Sequence, residues 1–306
     1  MRVLFVSSGN SKEGISPIIK NQGASLKRKG IEIDFFTIKG KGIKGYLKNI
    51  PLIRNIGKEK YDIIHVHYSL SAFATTLSGI SPLVVSLMGS DINSGRSFYR
   101  IIRIFNRIFW KRVIVKSKDM KNKLDLKNME IIPNGVDLQK FKPVSVKKAV
   151  KYLGWDLHKK HILFAANPKR PEKNFRLAEN SFERVNYRNI EFHFLDNISN
   201  EEMVNYYNAS DVILLTSLWE GSPNVIKEAM ACNIPIVSTD VGDVKDVIGS
   251  TNGCFITTFE PEDVAKKIQK ALDFGKRTNG RENIEHLESS IIADKIIEVY
   301  KSVLNK

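Results

Sequence analysis

The sequence contains few of the residues that form covalent or metal cross-links. Among its 306 residues are only two cysteines, Cys232 and Cys254, and six histidines, and their spacing matches no zinc-binding motif. So few cysteines fit a reducing compartment, where cysteine behaves as a small apolar residue. We therefore expect the fold to depend on an apolar core and on hydrogen bonds, with both thiols free.

Long apolar runs and low-complexity tracts are also missing. No apolar stretch reaches 18 residues, and the opening segment, MRVLFVSSGN, resembles a first core strand more than a secretory signal. Apolar residues at 42% and charged residues at 26% are ordinary for a globular chain, and no solenoid repeat is visible. The length suffices for two domains of about 150 residues each. These features predict a folded cytoplasmic protein without a membrane span.

Negative charge is scarce in the first half of the chain. Residues 1–143 hold 26 lysines and arginines against 10 aspartates and glutamates, a net charge of +16, whereas residues 144–306 hold 22 against 23, a net charge of −1. Such asymmetry indicates an anionic partner for the first half, either a nucleic acid or a membrane surface. Helix-turn-helix, RNP and zinc-finger patterns are absent, which argues against a nucleic acid.

Short apolar runs alternate with helical patterns along the chain. In the first half, RVLFVSS, IEIDFFTI, YDIIHVHYS and PLVVSLMGSD are typical of strands, and helices are expected from Pro17 to about Lys29 and from Ser97 to Trp110. A turn in residues 131–143, IIPNGVDLQKFKP, precedes a second alternating series that ends in a helix at about residues 284–305. The pattern predicts an α/β protein with two doubly wound parallel-sheet domains, residues 1–143 and 144–306.

Two glutamates flank a turn in LTSLWEGSPNVIKEAMACNIPIV, residues 215–237. Glu220 lies on the turn that follows the strand DVILL, and Glu228 lies in the next helix. We expect Ser222 to cap this helix and Pro223 to occupy its first position. Helical side chains lean toward the amino end, so Glu228 and Asn224 share one face. Glu228 lies roughly 8 Å along the helix axis, about the reach of a diphosphate.

These positions are suited to a nucleotide-sugar. The free N–H groups at a helix amino end favour an anion, and Gly221 lets the backbone come close to it. Glu228 can accept hydrogen bonds from the ribose hydroxyls, and Glu220 can lie near the sugar. A nucleotide-sugar would therefore satisfy the helix end and both carboxylates.

The Glu-x7-Glu pattern, with EGSPNVIKEAMA, is similar to the signature of the retaining glycosyltransferases of family four, and the resemblance covers nearly the whole chain. It implies the GT-B fold, in which two Rossmann-like domains face a cleft and the final helix crosses back to the N-terminal domain. It also implies sugar transfer from a nucleotide diphosphate sugar with retention. In that family the second glutamate holds the ribose and the first contacts the donor sugar. The residues implied here are Glu220 as catalytic, with Gly221, Ser222, Asn224, Val225 and Glu228 as donor contacts.

The loop NPKRPEKN, residues 167–174, places three cations after a predicted strand. Taken alone it fits a solvated loop, but the family has an arginine and a lysine here that bind the leaving diphosphate, and fixed cations would stabilise its growing charge. Asn167-Pro168 replaces the usual Gly-Arg start. The resemblance therefore assigns Lys173, and the choice between Lys169 and Arg170 stays open.

The first half contains the expected acceptor residues. GNSKEGIS resembles the family's glycine-rich acceptor loop, which makes Gly14 and Ser16 candidate contacts. HVHYS and MGSD end neighbouring strands, where active-site groups of such sheets gather. His67 is therefore a candidate substrate contact, and Asp91 a candidate catalytic residue on the acceptor side. Met88 stands where many relatives have a histidine, which argues against a histidine-assisted step.

No Asp-x-Asp metal motif occurs in a site-like position. Cations and a helix end can neutralise the phosphates, so we expect no cofactor and no metal. The expected partners are a nucleotide diphosphate sugar and a lipid-linked or glycan acceptor, with no nucleic acid. Two alternatives stay open, namely a GT-B sugar-nucleotide epimerase and a basic nucleic-acid-binding protein.

The segment RSFYRIIRIFNRIFWKR, residues 96–112, predicts a basic amphipathic helix. One stripe contains Arg96, Arg100, Arg103, Arg107 and Lys111, and the rest of the surface contains Ile101, Ile104, Phe105, Ile108 and Phe109. An ordinary core helix with a solvated basic face would show the same pattern. The flanking aromatics and further cations in residues 39–60 favour an interfacial helix. We expect the N-terminal domain to bind the anionic inner face of the cell membrane, with cell-surface polysaccharide or glycolipid synthesis as the setting.

Overall fold

The computed structural model describes residues 1–10, 14–40, 42–93, 96–196 and 198–305, which form two compact units. The first unit consists of Met1–Gly135 together with Ser289–Lys306, and the second consists of Val136–Glu288. Each unit is built around one parallel sheet. Among the described residues, no helix combines the length and the hydrophobicity needed to cross a bilayer.

The first unit contains a six-stranded sheet. Its elements are β1 (Arg2–Ser8), α1 (Pro17–Arg28), β2 (Glu32–Ile38), α2 (Gly42–Lys48), α3 (Ile50–Ile56), β3 (Ile63–His67), α4 (Ser69–Leu77), β4 (Leu83–Ser86), a 3-10 turn (Ser90–Asn93), α5 (Arg96–Ile108), β5 (Trp110–Val115), α6 (Lys118–Leu124) and β6 (Met129–Ile131). The strand order is β2-β1-β3-β4-β5-β6, and every pair is parallel. All residues of β3 and β4 are buried, as expected for parallel strands covered on both faces.

The second unit contains a five-stranded sheet. Its elements are α7 (Val146–Leu153), β7 (Lys160–Phe164), a 3-10 turn (Pro171–Lys173), α8 (Phe175–Phe182), β8 (Ile190–Phe194), α9 (Met203–Ala209), β9 (Val212–Leu215), α10 (Asn224–Ala231), β10 (Ile236–Thr239), α11 (Val244–Ile248), β11 (Cys254–Thr257), α12 (Pro261–Phe274), α13 (Gly280–Asn283) and a 3-10 turn (Glu285–Leu287). The order β11-β10-β9-β7-β8 is again parallel throughout. Both sheets follow the doubly wound order 2-1-3-4-5, with an added strand in the first.

The last helix, α14 (Ser289–Leu304), belongs to the first unit although it follows the second in sequence. It packs beside α1, where Lys29 Nζ lies 2.7 Å from Asp294 Oδ2. Deeper in the unit, the hydroxyl of Tyr300 is hydrogen-bonded to His65 Nδ1 at 2.5 Å, and Ser86 Oγ to His65 Nε2 at 2.8 Å. The buried imidazole thus has a partner for each nitrogen, and one of them comes from α14.

The chain enters the second unit at Val136, whereas the sequence placed the boundary at residues 143 and 144. The physical reason is that the intervening residues pack into the second unit. Phe141 is buried against the ring of Tyr207, with ring centroids 5.9 Å apart. The guanidinium of Arg281 donates hydrogen bonds to Leu138 O at 2.6 Å and to Phe141 O at 2.7 Å.

Replacing Tyr300 by phenylalanine is expected to destabilise the protein. Tyr300→Phe leaves a buried nitrogen of His65 without its partner, which costs about 1–3 kcal/mol. The change should appear as a lower urea midpoint in chemical unfolding. Tyr152→Phe is the matched control, because Tyr152 is 63% exposed. An unchanged midpoint in Tyr300→Phe would show that α14 does not anchor the first unit through this bond.

Candidate functional site

The strand order of the second unit reverses between β7 and β9. Sheets of this order bind their ligands beyond the carboxyl ends of the strands at the reversal. Lys173 follows β7, and Glu220 follows β9. These two predicted residues therefore lie on either side of the position where a ligand is expected.

Lys173 and Glu220 form an ion pair across this position. The ammonium of Lys173 donates to Glu220 Oε1, and Ser217 Oγ donates to the same oxygen at 2.8 Å. The side chains of Lys173 and Glu220 are only 10% and 16% exposed. Because a charge removed from water needs an opposite charge or hydrogen bonds, each partner compensates the burial of the other.

The loops that carry this ion pair are also joined through their backbones. Thr216 Oγ1 donates to Lys173 O at 3.0 Å, and the N–H of Leu218 donates to Glu172 O at 2.9 Å. Among the residues that the structure describes, the hydrogen bonds to Glu220 both reach Oε1 and none reaches Oε2. The carboxylate of Glu220 is thus oriented through one oxygen, and the other is left for a ligand hydroxyl.

The turn before α10 is held by a buried polar cluster. Lys227 has no exposed surface and donates to Ser222 Oγ and to Asp243 Oδ2, the latter at 2.9 Å. Ser222 Oγ in turn donates to Asp243 Oδ2 at 2.6 Å. The loop after β10 approaches so closely that a Cβ on Gly242 would lie 2.7 Å from Gly221 O, and the φ of Gly242 is +63°. Glycine is required there for both reasons.

Ser222 does not cap α10, contrary to the sequence prediction. The helix begins at Asn224, Pro223 takes the N-cap position, and no side chain accepts a hydrogen bond there. The hydroxyl of Ser222 is used elsewhere because the buried ammonium of Lys227 needs oxygen acceptors. The first N–H groups of α10 therefore have no side-chain cap and can bind an anion.

Glu228 lies inside α10 and is 7% exposed. Its Oε2 accepts a hydrogen bond from the hydroxyl of Tyr207 at 2.6 Å. Burial raises the pKa of Glu228, and the Tyr207 hydrogen bond opposes that rise. Asn224, one turn earlier, has a buried Oδ1 without a partner among the described residues. A carboxylate and an amide oxygen on one helix face supply the acceptors that sugar hydroxyls need.

The remaining predicted donor contacts are more exposed. Lys169 is 83% exposed, with Nζ 3.9 Å from Asp196 Oδ2, and Arg170 is 59% exposed and contacts Glu172 at 2.5 Å. Val225 is half-buried in the first turn of α10. Neither Lys169 nor Arg170 joins the Lys173–Glu220 pair, so both can turn toward an anion, and their role as phosphate ligands stays a prediction.

The candidate residues Gly14, Ser16 and His67 of the first unit follow or end β1 and β3, the strands at its own reversal of order. Gly14 has a φ of +74°, and Ser16 directly precedes α1. His67 is 1% exposed and stacks on His65, with ring centroids 4.4 Å apart. Its ring nitrogens have no hydrogen-bond partner in the described part of the chain, and burial lowers the pKa of His67 to about 3. His67 is therefore a neutral, buried ring, and its role toward a substrate stays a prediction.

Asp91 binds the backbone and has no exposed surface. Its carboxylate accepts hydrogen bonds from the N–H of Ser69 at 2.8 Å and from the N–H of Met88 at 2.5 Å. Burial raises the pKa of Asp91, and these hydrogen bonds oppose the rise. These hydrogen bonds tie the loop after β4 to the start of α4, and a catalytic role of Asp91 stays a prediction.

The sequence did not predict Tyr207, Ser217, Lys227 and Asp243 as parts of this site. Of these four residues, only Lys227 could have been noticed in the sequence, because it interrupts an otherwise apolar face of the helix. Tyr207 is 21 residues from Glu228, and Asp243 is 16 residues from Lys227, so local spacing could not connect them. Their partnership depends on the folded sheet.

Two family models match the chain, one in each half. Residues 21–140 match the family described as Glycosyltransferase Family 4, and residues 157–273 match the family described as Glycosyl transferases group 1. The second match includes the Lys173 loop, Glu220 and all of α10. Both matches therefore concern proteins that transfer sugars.

Curated relatives bear related names. The UDP-Gal:alpha-D-GlcNAc-diphosphoundecaprenol alpha-1,3-galactosyltransferase of Escherichia coli is 27% identical over 244 residues, which are 65% of this chain and 63% of that protein. The N,N'-diacetylbacillosaminyl-diphospho-undecaprenol alpha-1,3-N-acetylgalactosaminyltransferase of Campylobacter jejuni is 25% identical over 201 residues, which are 56% of this chain and 53% of that protein. This chain thus matches less than two thirds of the length of either relative.

Solved structures share the whole fold. Sucrose-phosphate synthase from Thermosynechococcus elongatus has a TM-score of 0.85 at 16% identity, over 99% of both chains. HepE from Anabaena, solved in complex with UDP and glucose, has a TM-score of 0.77 at 17% identity, over 99% of this chain and 100% of that one. The predicted GT-B fold with two doubly wound parallel sheets is confirmed. Each of the two family models matches less than half of the chain, and both describe glycosyltransferases.

Proposed function

We propose that the protein is a retaining glycosyltransferase that moves a sugar from a nucleotide diphosphate to an acceptor. The observation that carries this proposal is the pair of glutamates around the amino end of α10. Glu220 is oriented by Lys173 and Ser217, and Glu228 is buried against Tyr207. Both lie beside the reversal in strand order where such sheets bind ligands.

In this proposal the second unit holds the donor. Glu228, with Tyr207 behind it, accepts the ribose hydroxyls, and the uncapped N–H groups of α10 bind the diphosphate. Lys173 has ammonium protons beyond the one given to Glu220, and these can reach the phosphates together with Lys169 or Arg170. The complex of HepE with UDP and glucose supports a uridine diphosphate sugar as the class of donor.

The proposed reaction is a same-face substitution at the anomeric carbon. The bond from this carbon to the diphosphate oxygen breaks, and a bond to the acceptor oxygen forms on the same face. The acceptor proton passes to the leaving phosphate. Glu220 positions the sugar through a hydroxyl, and the cations and the end of α10 stabilise the leaving charge, so the step needs no metal.

The proposed acceptor is a lipid-linked or membrane-proximal glycan. This part starts from α5, whose described side chains expose cations and apolar groups together: Arg100, Arg103 and Arg107, and Ile101, Ile104 and Ile108. The isoleucines are 43%, 56% and 64% exposed, while Ile102 is fully buried. The predicted stripe also included Arg96, whose side chain lies outside the described residues, and Lys111, which lies on β5 and not on the helix because α5 ends at Ile108. The exposed face of α5 thus resembles helices that lie in a membrane interface.

Two shorter helices extend this face. The helices α2 and α3 pack on α4, and α4 contacts α5 through Phe73 and Phe105, whose ring centroids are 4.6 Å apart. They expose large apolar residues beside further lysines: Ile43, Leu47 and Leu52 at 70%, 46% and 57%, with Lys44 and Lys48. We term these five residues and the six of α5 the apolar–basic surface.

Charge and acceptor chemistry both favour a membrane as the partner of the apolar–basic surface. The sequence of the first unit holds 27 lysines and arginines against 11 aspartates and glutamates, so its net charge is +16. Each cation near an anionic bilayer contributes about 1 kcal/mol, and the apolar side chains can enter the interface. The names of both curated relatives specify undecaprenol-linked acceptors. We therefore propose a peripheral position on the cytoplasmic face of the cell membrane.

Changes at the two glutamates should separate donor binding from turnover. Glu228→Gln is expected to weaken donor binding, and Glu220→Gln to lower turnover, each about 10- to 100-fold, since a charged hydrogen bond contributes about 1.5–3 kcal/mol. The measurements are thermal shift with UDP, GDP or ADP and kinetics with the best sugar nucleotide. Glu179→Gln, at an exposed position on α8, is the matched control.

Three outcomes would contradict this assignment. Wild-type kinetics in both glutamate variants would remove these residues from the site. A protein stabilised by oligonucleotides and not by nucleotides would instead be the basic nucleic-acid-binding protein. Conversion of the donor to an epimer without any acceptor would indicate the sugar-nucleotide epimerase.

Sugar transfer is expected to survive treatment with EDTA, because cations and a helix end replace a metal at the diphosphate. Within the loop after β7, Lys173→Ala should then reduce turnover far more than Lys169→Ala, since Lys173 is buried against Glu220 and Lys169 is exposed. Initial rates of sugar transfer are measured for the wild type with and without EDTA and for the two lysine variants. Loss of activity on chelation, restored by magnesium or manganese, would show that the reaction uses a metal.

Binding to vesicles should require anionic lipid and should fall as salt rises. The triple variant Arg100→Glu, Arg103→Glu and Arg107→Glu should sediment with anionic vesicles far less than the wild type. The control reverses three exposed lysines of the second unit, Lys266, Lys270 and Lys276, and changes the net charge equally. Equal binding to neutral vesicles, or equal loss in both variants, would leave α5 as an ordinary solvated face.

A further inference from the structure

Three side chains with metal-binding atoms meet where β7 and β8 run side by side. His161 lies near the amino end of β7, and Glu191 and His193 lie on β8, two residues apart and so on one face. The parallel register pairs His161 with Glu191 and Leu163 with His193. His161 and Glu191 lie near the amino ends of their strands, whereas Lys173 and Glu220 follow the carboxyl ends of β7 and β9, and the three residues take no part in the proposed transfer.

The distances among the three ligand atoms match a zinc ion. His161 Nδ1 is 3.0 Å from His193 Nε2, and Glu191 Oε2 is 3.6 Å from His161 Nδ1 and 3.8 Å from His193 Nε2. Around tetrahedral zinc, bonds of about 2.0–2.2 Å place neighbouring ligand atoms roughly 3.3–3.5 Å apart. The observed triangle is therefore close to one face of such a tetrahedron.

The hydrogen bonding of His161 leaves Nδ1 as the nitrogen that can bind a metal. His161 Nε2 lies 2.9 Å from the carbonyl oxygen of Asp156, which can only accept, so Nε2 holds the proton. His161 Nδ1 then carries a lone pair and accepts the 3.0 Å hydrogen bond from His193 Nε2, and a metal would replace that proton once His193 takes its other tautomer. A histidine ligand that donates its other N–H to a carbonyl is the usual arrangement in metal sites.

The position of His193 is set by stacking. The indole of Trp155 lies parallel to its ring, with centroids 3.6 Å apart and an angle of 8°, and it also contacts His161 at 4.8 Å. Two oriented imidazoles and one carboxylate are a ligand set that zinc uses.

The three side chains are accessible enough for an ion, and the neighbouring cation can move away. His161 is 2% exposed, His193 19% and Glu191 32%, so a water molecule can supply a fourth ligand. The ammonium of Lys159 lies 2.5 Å from Glu191 Oε1, which is the oxygen not turned toward the histidines. Lys159 is 38% exposed and can move into solvent, and this neighbouring cation will moderate the affinity.

We propose that His161, Glu191 and His193 bind a zinc ion that joins the edge strand β8 to β7 and to the Trp155 loop. The residues of β8 are partly exposed, and on one side this strand has no strand neighbour among the described residues. An ion held by ligands from both strands would stabilise this edge, as metals that bind only the native state must. The role is structural and separate from sugar transfer.

The test uses the full chain, stripped with EDTA and transferred to chelator-free buffer. Zinc titration by calorimetry should show one saturable site, and zinc should raise the melting midpoint. His193→Ala and Glu191→Gln should each weaken binding more than about 100-fold, because even outer-shell changes cost about 10- to 100-fold. His286→Ala, at an exposed histidine, is the control and should bind as the wild type does.

A second readout locates the ion within the chain. Cobalt or copper in this site should quench the fluorescence of Trp155, one of three tryptophans, and Trp155→Phe should remove that quenching while zinc still raises the midpoint. Absence of a saturable site, or equal binding in the wild type and in the two ligand variants, would overturn the proposal. Neither measurement uses the transfer reaction, so the result is independent of the proposed function.

Discussion

The arrangement of the second unit depends on how one buried carboxylate and one buried ammonium compensate each other. Glu220 and Lys173 lie on loops from strands β9 and β7, 47 residues apart, and neither charge is stable away from water without the other. Because their contact crosses the reversal in strand order, it determines where the two loops stand around a ligand. Ser217 then selects which oxygen of Glu220 stays available.

A second set of buried charges repeats this logic at the start of α10. The buried ammonium of Lys227 on α10 would be costly without Asp243 and Ser222, and together they hold the turn that presents the free N–H groups. The second unit thus uses charge internally, to position backbone and side chains. The first unit exposes its excess of cations, beside apolar groups on α2, α3 and α5, where charge can act on a partner.

Much of this fold could be predicted from periodicity, since buried parallel strands are continuous apolar runs. β1 was predicted as Arg2–Ser8, and α1 ended one residue earlier than expected. Shorter elements were not predicted: α4 consists largely of serine, alanine and threonine, and α2 and α3 are only seven residues each. Such segments have too few apolar positions to reveal a period, and their packing on larger elements stabilises them.

The sequence by itself determined the two parallel-sheet units, the excess of positive charge in the first and the local spacing of Glu220 and Glu228, because these depend on composition or on neighbours within one turn or strand. Only the tertiary structure decided which side chains became partners. Asp91 became a buried backbone ligand, Ser222 joined Lys227 and left the helix uncapped, and β7 and β8 brought His161 to His193. Each of these contacts joins residues whose positions depend on packing or on strand order. Because buried polar groups need hydrogen-bond partners, each one pairs with a partner that the fold places nearby.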